Sequence, residues 1–385
     1  MKYKRICAAA AMLLIFSAII GCGNSTDKAV SKETANSVEH ENSDAADYSK
    51  IKVGVISTPG KDDGGWCQAT YECIMEAAGN MGMSEEQIVF VDNVPEEISE
   101  VSNVISRLVN DGCTMILSAA AGYKDAIDAA GKEYPEIQFI QFEGNVTDNV
   151  IEYGIRDYQA MFVCGYISAL MSENDDLGFC GGYPTSSVIR SINAYAQGAK
   201  YANPNAKVRI VFANSWFDPA AEKECANSLI AAGVTCMGIS TSSPSIPQTC
   251  QEAGVYCTGY QVDMHDYAPE AIMVSFMWNW TPIFEEIITQ SAKNDLKPYG
   301  ENYLWGVEHD CAQLSEINSA IVPKEISDKA EEVQAKILSG EIDVFAGEIK
   351  DNNGNIIVPD GETMPDERIL DIGCLFDNVI GTIPE

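Results

Sequence analysis

The sequence predicts an α/β protein of two lobes, each a mostly parallel β-sheet flanked by helices, with a hinge between them. Three observations predict it. The chain has 385 residues, more than the roughly 250–300 at which a single hydrophobic core stops growing. From residue 51 onward short β-branched runs alternate with longer helical stretches, the pattern of parallel strands joined by covering helices. The alternation forms two successive series, with the break near the helical stretch 158–171.

In chain order, the first series places strands at 51–57, 88–91, 114–118, 138–142 and 150–155, with helices at 66–81, 97–111 and 123–133. Helix 159–171 opens the second series, which places strands at 177–180, 208–213, 236–239, 255–260 and 272–276 and helices at 188–202 and 219–232. Asn203-Pro204 and Gly233 supply helix stops where two of these helices should end. Trp278-Asn279-Trp280-Thr281-Pro282 then leads into a helix at 282–293 that most simply returns to the first lobe, and 350–363 reads as a hairpin around the Asn353-Gly354 turn. The expected division is residues 1–21 as a signal peptide and 22–48 as a lipidated disordered tether. Residues 49–157 with about 278–345 then form lobe 1, and 158–277 with about 346–385 form lobe 2.

The amino terminus reads as an address. Lys2, Lys4 and Arg5 precede an apolar run from Ile6 to Ile20, short of the ~20 residues a bilayer span needs and typical of a secretory signal. Ile19-Ile20-Gly21-Cys22 resembles a lipobox, which would place a diacylglycerol on Cys22 and make it the first mature residue; the competing reading is an uncleaved anchor helix. The segment that follows has no aromatic residue before Tyr48 and is rich in Ser, Asn, Glu and Asp, so it cannot bury enough surface to offset the entropy of ordering. The expected location is the extracytoplasmic face of the cell membrane, held by the lipid alone.

Composition excludes several classes. With 57 acidic against 24 basic residues the net charge is −33, which repels phosphate backbones and disfavours nucleic acid and phosphorylated ligands. Of 13 cysteines, Cys7 lies in the signal and Cys22 at the lipid site; the other eleven form no CxxC pair and sit in apolar runs such as Phe162-Val163-Cys164, as small core residues do. Zinc knuckles and redox dithiols are thereby disfavoured. The chain has no GxGxxG, GxxxxGK[ST] or GxSxG, and its three histidines, His40, His265 and His309, show no HExxH spacing. Asp263-Met264-His265-Asp266 imitates a metal cluster, but adjacent loop residues rarely converge on one ion. No catalytic residue, metal or cofactor is therefore assigned.

In open α/β sheets ligands bind outside the carboxyl ends of the strands, so the segments after Ser57, Ser118, Phe142, Cys180, Ala213 and Tyr260 should collect a site. Three of them carry aromatics, acids or amides: Gly60-Lys61-Asp62-Asp63-Gly64-Gly65-Trp66, Asn214-Ser215-Trp216-Phe217-Asp218-Pro219 and Gln261-Val262-Asp263-Met264. A tryptophan from each lobe with hydrogen-bonding groups nearby suits a flat heterocycle, which needs two π-faces and a matched edge.

At these residues, and from about residue 51 to the carboxyl terminus, the chain resembles the basic membrane protein family of lipoproteins, substrate-binding components of ABC importers that include purine-nucleoside receptors. Further marks are Tyr134-Pro135-Glu136-Ile137-Gln138-Phe139, Gly181-Gly182, Gly198-Ala199 and Trp278-Asn279-Trp280. The resemblance implies a periplasmic-binding-protein-like fold of type I that closes on a purine base or nucleoside and presents it to a permease with an ATPase. It implies that Trp66 stacks on the purine, that Asp62 or Asp63 orients the loop or touches the ligand, that Trp216 supplies the second ring, and that Asp263 accepts hydrogen bonds from the ligand edge. Many members have Phe-Asn where this chain has Trp66-Cys67, and nucleoside-binding members carry a lysine where Trp278 stands, or Asn279 if the register slips by one. Loss of that cation favours a free base. Tyr123, Tyr183 and Gln261 complete the expected cleft lining. Competing local readings are packing for Trp66, Trp216 and Tyr123, a helix cap for Asp218, a helix start at Trp280 and an ion pair for Arg190. The alternatives for the whole chain are a nucleoside hydrolase-like enzyme and a ligand sensor without transport.

Overall fold

A computed structural model describes residues 46–58, 60–294, 300 and 302–384. The expected signal peptide, the lipid site at Cys22 and the tether up to residue 45 lie outside the described residues. Tyr48, the last residue of the expected tether, already belongs to the folded body: its carbonyl accepts from Gln87 Nε2 at 2.8 Å and its hydroxyl lies 3.2 Å from Thr289 Oγ1.

The first series comprises β1 (Val53–Ile56), α1 (Trp66–Asn80), β2 (Ile88–Val91), α2 (Ile98–Asn110), β3 (Met115–Ser118), α3 (Lys124–Glu133), β4 (Gln138–Phe142) and β5 (Val150–Ile155). α4 (Asp157–Met171) leads into the second: β6 (Asp176–Gly181), α5 (Ser186–Ala202), β7 (Lys207–Phe212), α6 (Pro219–Ala231), β8 (Cys236–Ser240), α7 (Ser245–Ala253), β9 (Tyr256–Gly259) and β10 (Ile272–Trp278). The rest is α8 (Thr281–Lys293), β11 (Asn302–Trp305), β12 (Ala312–Leu314), α9 (Lys324–Leu338), the ribbon β13 (Ile349–Lys350) and β14 (Ile356–Val358), α10 (Asp366–Leu370) and β15 (Val379–Ile380).

Two sheets result. The first, in the order β11-β5-β4-β3-β1-β2, is parallel throughout. The second, in the order β12-β10-β9-β8-β6-β7-β15, is parallel except for β12, which runs against β10. The segment expected wholly in lobe 1, about 278–345, is divided between them: β11 pairs with β5, whereas β12 pairs with β10 and α9 packs along α4. The connection from β11 to β12 is short, and a change of sheet over six residues leaves no periodic signal.

Strands β1, β3 and β4 are buried along their whole length, as parallel strands covered by helices on both faces must be. Val53 and Val55 face a core that runs on through α4 into the second sheet, while Ile56 faces a separate cluster formed with α2 and α3. In each sheet the strand order reverses at one place, between β1 and β3 and between β6 and β8. Such switch points open crevices at the carboxyl ends of the strands, where ligands bind.

Candidate ligand-binding site

The site assembles at these two switch points. After β1 the chain turns through Gly64-Gly65 into α1, and buried Asp63 caps that helix: Oδ1 accepts from Gly65 N at 2.9 Å and Gln68 N at 3.1 Å, and Oδ2 from Cys67 N at 3.2 Å. Burial raises the Asp63 carboxyl above its ordinary value, against those three backbone hydrogen bonds. Trp66, the first residue of the capped helix, reaches across the switch point and donates Nε1 to the Ala119 carbonyl beyond β3 at 2.5 Å.

An aromatic cluster surrounds Trp66. Its ring centroid lies 4.7 Å from Phe142 at the end of β4, and it stands edge-on to Trp278 at 5.3 Å and Trp280 at 5.4 Å. Trp278 and Trp280 stack on each other at 4.9 Å with planes 10° apart. Tyr260 extends the cluster beside Trp278, at 6.2 Å. Rings from the two sheets thus share one assembly, in the edge and offset arrangements aromatic quadrupoles favour.

The second switch point carries Trp216. Its ring lies over Gly182, where a Cβ would come within 2.8 Å of it, so a side chain at 182 would displace the indole. Tyr183, exposed, stands edge-on to Trp216 at 5.1 Å. Ser242, just past β8, donates its amide to the Trp216 carbonyl at 3.1 Å. Glu222 of α6 fastens the arrangement: Oε1 accepts from Asp218 N at 3.2 Å, and Oε2 from the hydroxyls of Thr241 at 2.9 Å and Ser243 at 2.7 Å.

The two half-sites touch. A Cβ built on Gly65 would stand 2.3 Å from Gln261 Oε1 and 2.9 Å from Ser242 Cβ, so only glycine permits the approach. Arg190 of α5, 2% exposed, donates Nε to Asp157 at 2.9 Å and Nη2 to Glu143 at 3.3 Å. Burial pushes the Glu143 carboxyl up, opposed by Arg190; burial also works against the Arg190 charge, but the two acids hold that guanidinium above its ordinary value.

Two further signals mark the strand ends. Asn93, Glu143, Asn214 and Gln261, which follow β2, β4, β7 and β9, all have left-handed φ between 47° and 74°, a strain that clusters at ligand clamps. Buried Gln261 Oε1, Trp278 Nε1, Trp280 Nε1, Ser118 Oγ, Ser240 Oγ and Arg190 Nη1 have no hydrogen-bond partner among the described residues, whereas buried polar atoms are nearly always paired.

The structure therefore brings together Trp66, Tyr183, Trp216, Gln261 and Trp278 around the two switch points. Asp63 caps α1 and so orients the loop, one of the two roles expected of it or Asp62, and the other expected residues are placed differently. Asp62 is exposed, and Asp263 is exposed with Oδ1 accepting from His265 N at 3.0 Å, so it closes its own loop. Tyr123 is fully buried and donates its hydroxyl to the Val94 carbonyl at 2.5 Å, within the cluster under α2 and α3. Asn279 is spent on the start of α8: Oδ1 accepts from Thr281 N at 3.3 Å, and Nδ2 donates to the Asp310 carbonyl at 2.8 Å. Asp218 caps α6 and Arg190 is ion-paired, as their local readings anticipate. Phe142, Ser242 and Glu222 were not singled out from the sequence. Phe142 ends a strand and so had a positional signal; Glu222 had none.

Residues 50–348 match the family described as "ABC transporter substrate-binding protein PnrA-like". A purine-binding protein of Brucella abortus is 30% identical over 341 residues, covering 87% of this chain and 95% of that protein. A putative ABC transporter glucose-binding protein of Haloferax volcanii is 28% identical, covering 65% of this chain and 63% of that protein. Among solved structures, an ABC transporter solute-binding protein of Aeropyrum pernix superposes with a TM-score of 0.64 at 16% identity, covering 78% of this chain and 93% of that one. The fold is that of the periplasmic-binding-protein-like solute-binding proteins. Within that class the chain belongs to the PnrA-like substrate-binding proteins of ABC transporters, the basic membrane protein family that the sequence motifs resemble.

Proposed function

We propose that the protein binds a purine base or purine nucleoside between its two sheets, is held at the extracytoplasmic face of the membrane by a lipid on Cys22, and delivers its ligand to a permease with an ATPase. The observation that carries this reading is the meeting of two aromatic half-sites, Trp66 with Trp278 and Trp216 with Tyr183, at a glycine-tight contact with Gln261, whose buried Oε1, like the Trp278 Nε1, has no partner among the described residues. A planar heterocycle with donors and acceptors along its edge uses both features. Stacking at about 1–3 kcal/mol per aromatic side chain, together with hydrogen bonds to the unpartnered groups, suffices for the roughly 8 kcal/mol of micromolar affinity. Arg190 is already neutralised by two acids, so the site offers a phosphate no free cation there. The purine-binding relative, aligned over nearly its whole length, supports the same ligand class. Because a sugar also stacks on tryptophan, and one relative is described as glucose-binding, calorimetry should compare adenine, guanine, adenosine, guanosine and inosine with glucose. Heat from a purine and none from glucose is expected, adenine above adenosine; no heat from any purine overturns the proposal.

A further inference from the structure

The eleven cysteines of the body are all unbridged, and nine are buried. Among them β6 and α6 bring two together. Residues 178 and 180 share one face of β6, by the period of a strand. Gly178 faces Leu229 of α6, whose Cδ1 would lie 3.1 Å from a Cβ at that glycine. A helix that follows a parallel strand runs back antiparallel to it, so moving two residues up the strand, about 6.6 Å, corresponds to moving one turn toward the helix N-terminus, about 6 Å. That step leads from Leu229 to Cys225 as it leads from Gly178 to Cys180. The two thiols accordingly stand as neighbours, each acting on the other's titration, although the 44 residues of chain between them hide the pair from a CxxC search.

We propose that Cys180 and Cys225 form an oxidisable dithiol, a modification site at which a peroxide installs a disulfide between β6 and α6. The contact with Cys180 holds the Cys225 thiol below its ordinary value and raises that of Cys180, so Cys225 is the sulfur that reacts first. Cys225 is also half-buried, within reach of a small oxidant, whereas Cys180 is fully buried. The Cys225 thiolate attacks one oxygen of hydrogen peroxide; the O–O bond breaks, hydroxide leaves, and a sulfenic acid forms. Cys180, losing its proton, then attacks the Cys225 sulfur and expels the sulfenic oxygen as water. In sum two thiols and one peroxide give one disulfide and two waters, with two electrons passing from sulfur to oxygen. The bridge would tie α6, which starts three residues after Trp216, to the strand that leads into Gly182 beneath the Trp216 ring.

A second thiol pair supplies the control. Cys250 and Cys257 are also in contact, but both are fully buried. The full-length protein is treated with hydrogen peroxide, unfolded, alkylated without reduction, digested and analysed by mass spectrometry. The expected product is one linked peptide pair carrying Cys180 and Cys225, lost on reduction, with Cys250 and Cys257 alkylated. In a Cys225→Ser variant Cys180 stays alkylatable after the same treatment. Recovery of both Cys180 and Cys225 as alkylated thiols, or oxidation of Cys225 alone to a sulfinate, overturns the proposal, as does bridging of Cys250 and Cys257 at an equal rate.

Discussion

Gly65 and Gln261 meet across the two sheets at a distance that leaves no room for a methyl group: a Cβ on Gly65 would stand 2.3 Å from Gln261 Oε1. Gln261 holds a left-handed φ of 74° to make that contact, and its side chain is 7% exposed. The closed arrangement thus depends on the smallest residue facing a strained one.

Gly65→Ala should therefore oppose closure without unfolding either lobe. Gln261 is the flexible neighbour, but Ser242 Cβ at 2.9 Å and Cα at 3.2 Å are not free to yield. Purine affinity is expected to fall at least about tenfold, or ~1.4 kcal/mol, with the unliganded melting temperature little changed. Calorimetry beside thermal unfolding checks this; unchanged affinity would mean that the contact is not part of the bound state.

Trp66→Ala should weaken purine binding by at least about tenfold, given ~1–3 kcal/mol per stacked base. Trp66→Phe keeps an aromatic face but loses the donation to Ala119, so its affinity should fall between the two. Titration by calorimetry gives the order, and equal affinity in all three proteins would reduce Trp66 to packing.

Arg190→Met leaves Asp157 buried, and Glu143 half-buried, without their cation. Breaking one side of a buried ion pair costs about 3–5 kcal/mol. The bidentate pair of Arg156 with Asp366 lies nearer water, with side chains 24% and 48% exposed, and Asp366→Asn should cost no more than ~1 kcal/mol. Urea unfolding of the two variants measures the contrast, and similar losses would contradict it.

Stability should fall as pH rises above the carboxylate range. Asp63, Glu96, Glu143, Glu152 and Glu222 are all raised, with burial the largest cause in each. In the unfolded chain they titrate near ~4, so between there and their folded values the native state holds more protons. Their burial therefore costs nothing at or below the ordinary range, and stability is lost as pH passes through the raised folded values. Exposed Glu325 and Glu332 are lowered by hydrogen bonds from Lys329 and Lys336 and act in the opposite sense, but in water that effect is screened. Melting temperatures from about pH 5 to about pH 8 should decline, and the slope should shrink in Glu222→Gln. A flat or rising profile would show that relaxation around these carboxyls removes the effect.

The alternation of strands and helices was legible because each element buries a face whose period shows in the sequence. β2, β4 and β5 coincide with their expected ranges, and most other boundaries differ by one or two residues. α7 and α9 were missed: α7 is short, with Pro247 inside its first turn, and α9 buries only Ala330, Val333 and Ile337. The site was half legible. Aromatics at strand ends carry a positional signal, and Trp66, Trp216 and Trp278 do stand beside the two switch points. Acids in the same loops carried none, since Asp63, Asp218 and Asp263 all turn back to hydrogen-bond nearby backbone amides. Nor does a sequence reveal that Glu222 reaches from a helix into the loop after β8.

The stack of Trp278 on Trp280, with Trp66 set edge-on against both, gathers three of the five tryptophans of the chain into one optical unit. Excitation absorbed by any of these indoles is shared over contacts of about 5 Å, and the light emitted depends on whether Trp278, the last residue of β10 in the second sheet, still abuts Trp66 of α1 and Trp280, which packs on Phe142 and Tyr153 of the first sheet. Separation of the sheets would admit water to indole faces now covered by neighbouring rings and shift their emission to the red. The molecule thus carries an intrinsic gauge of its own closure, readable in ultraviolet fluorescence without an attached dye.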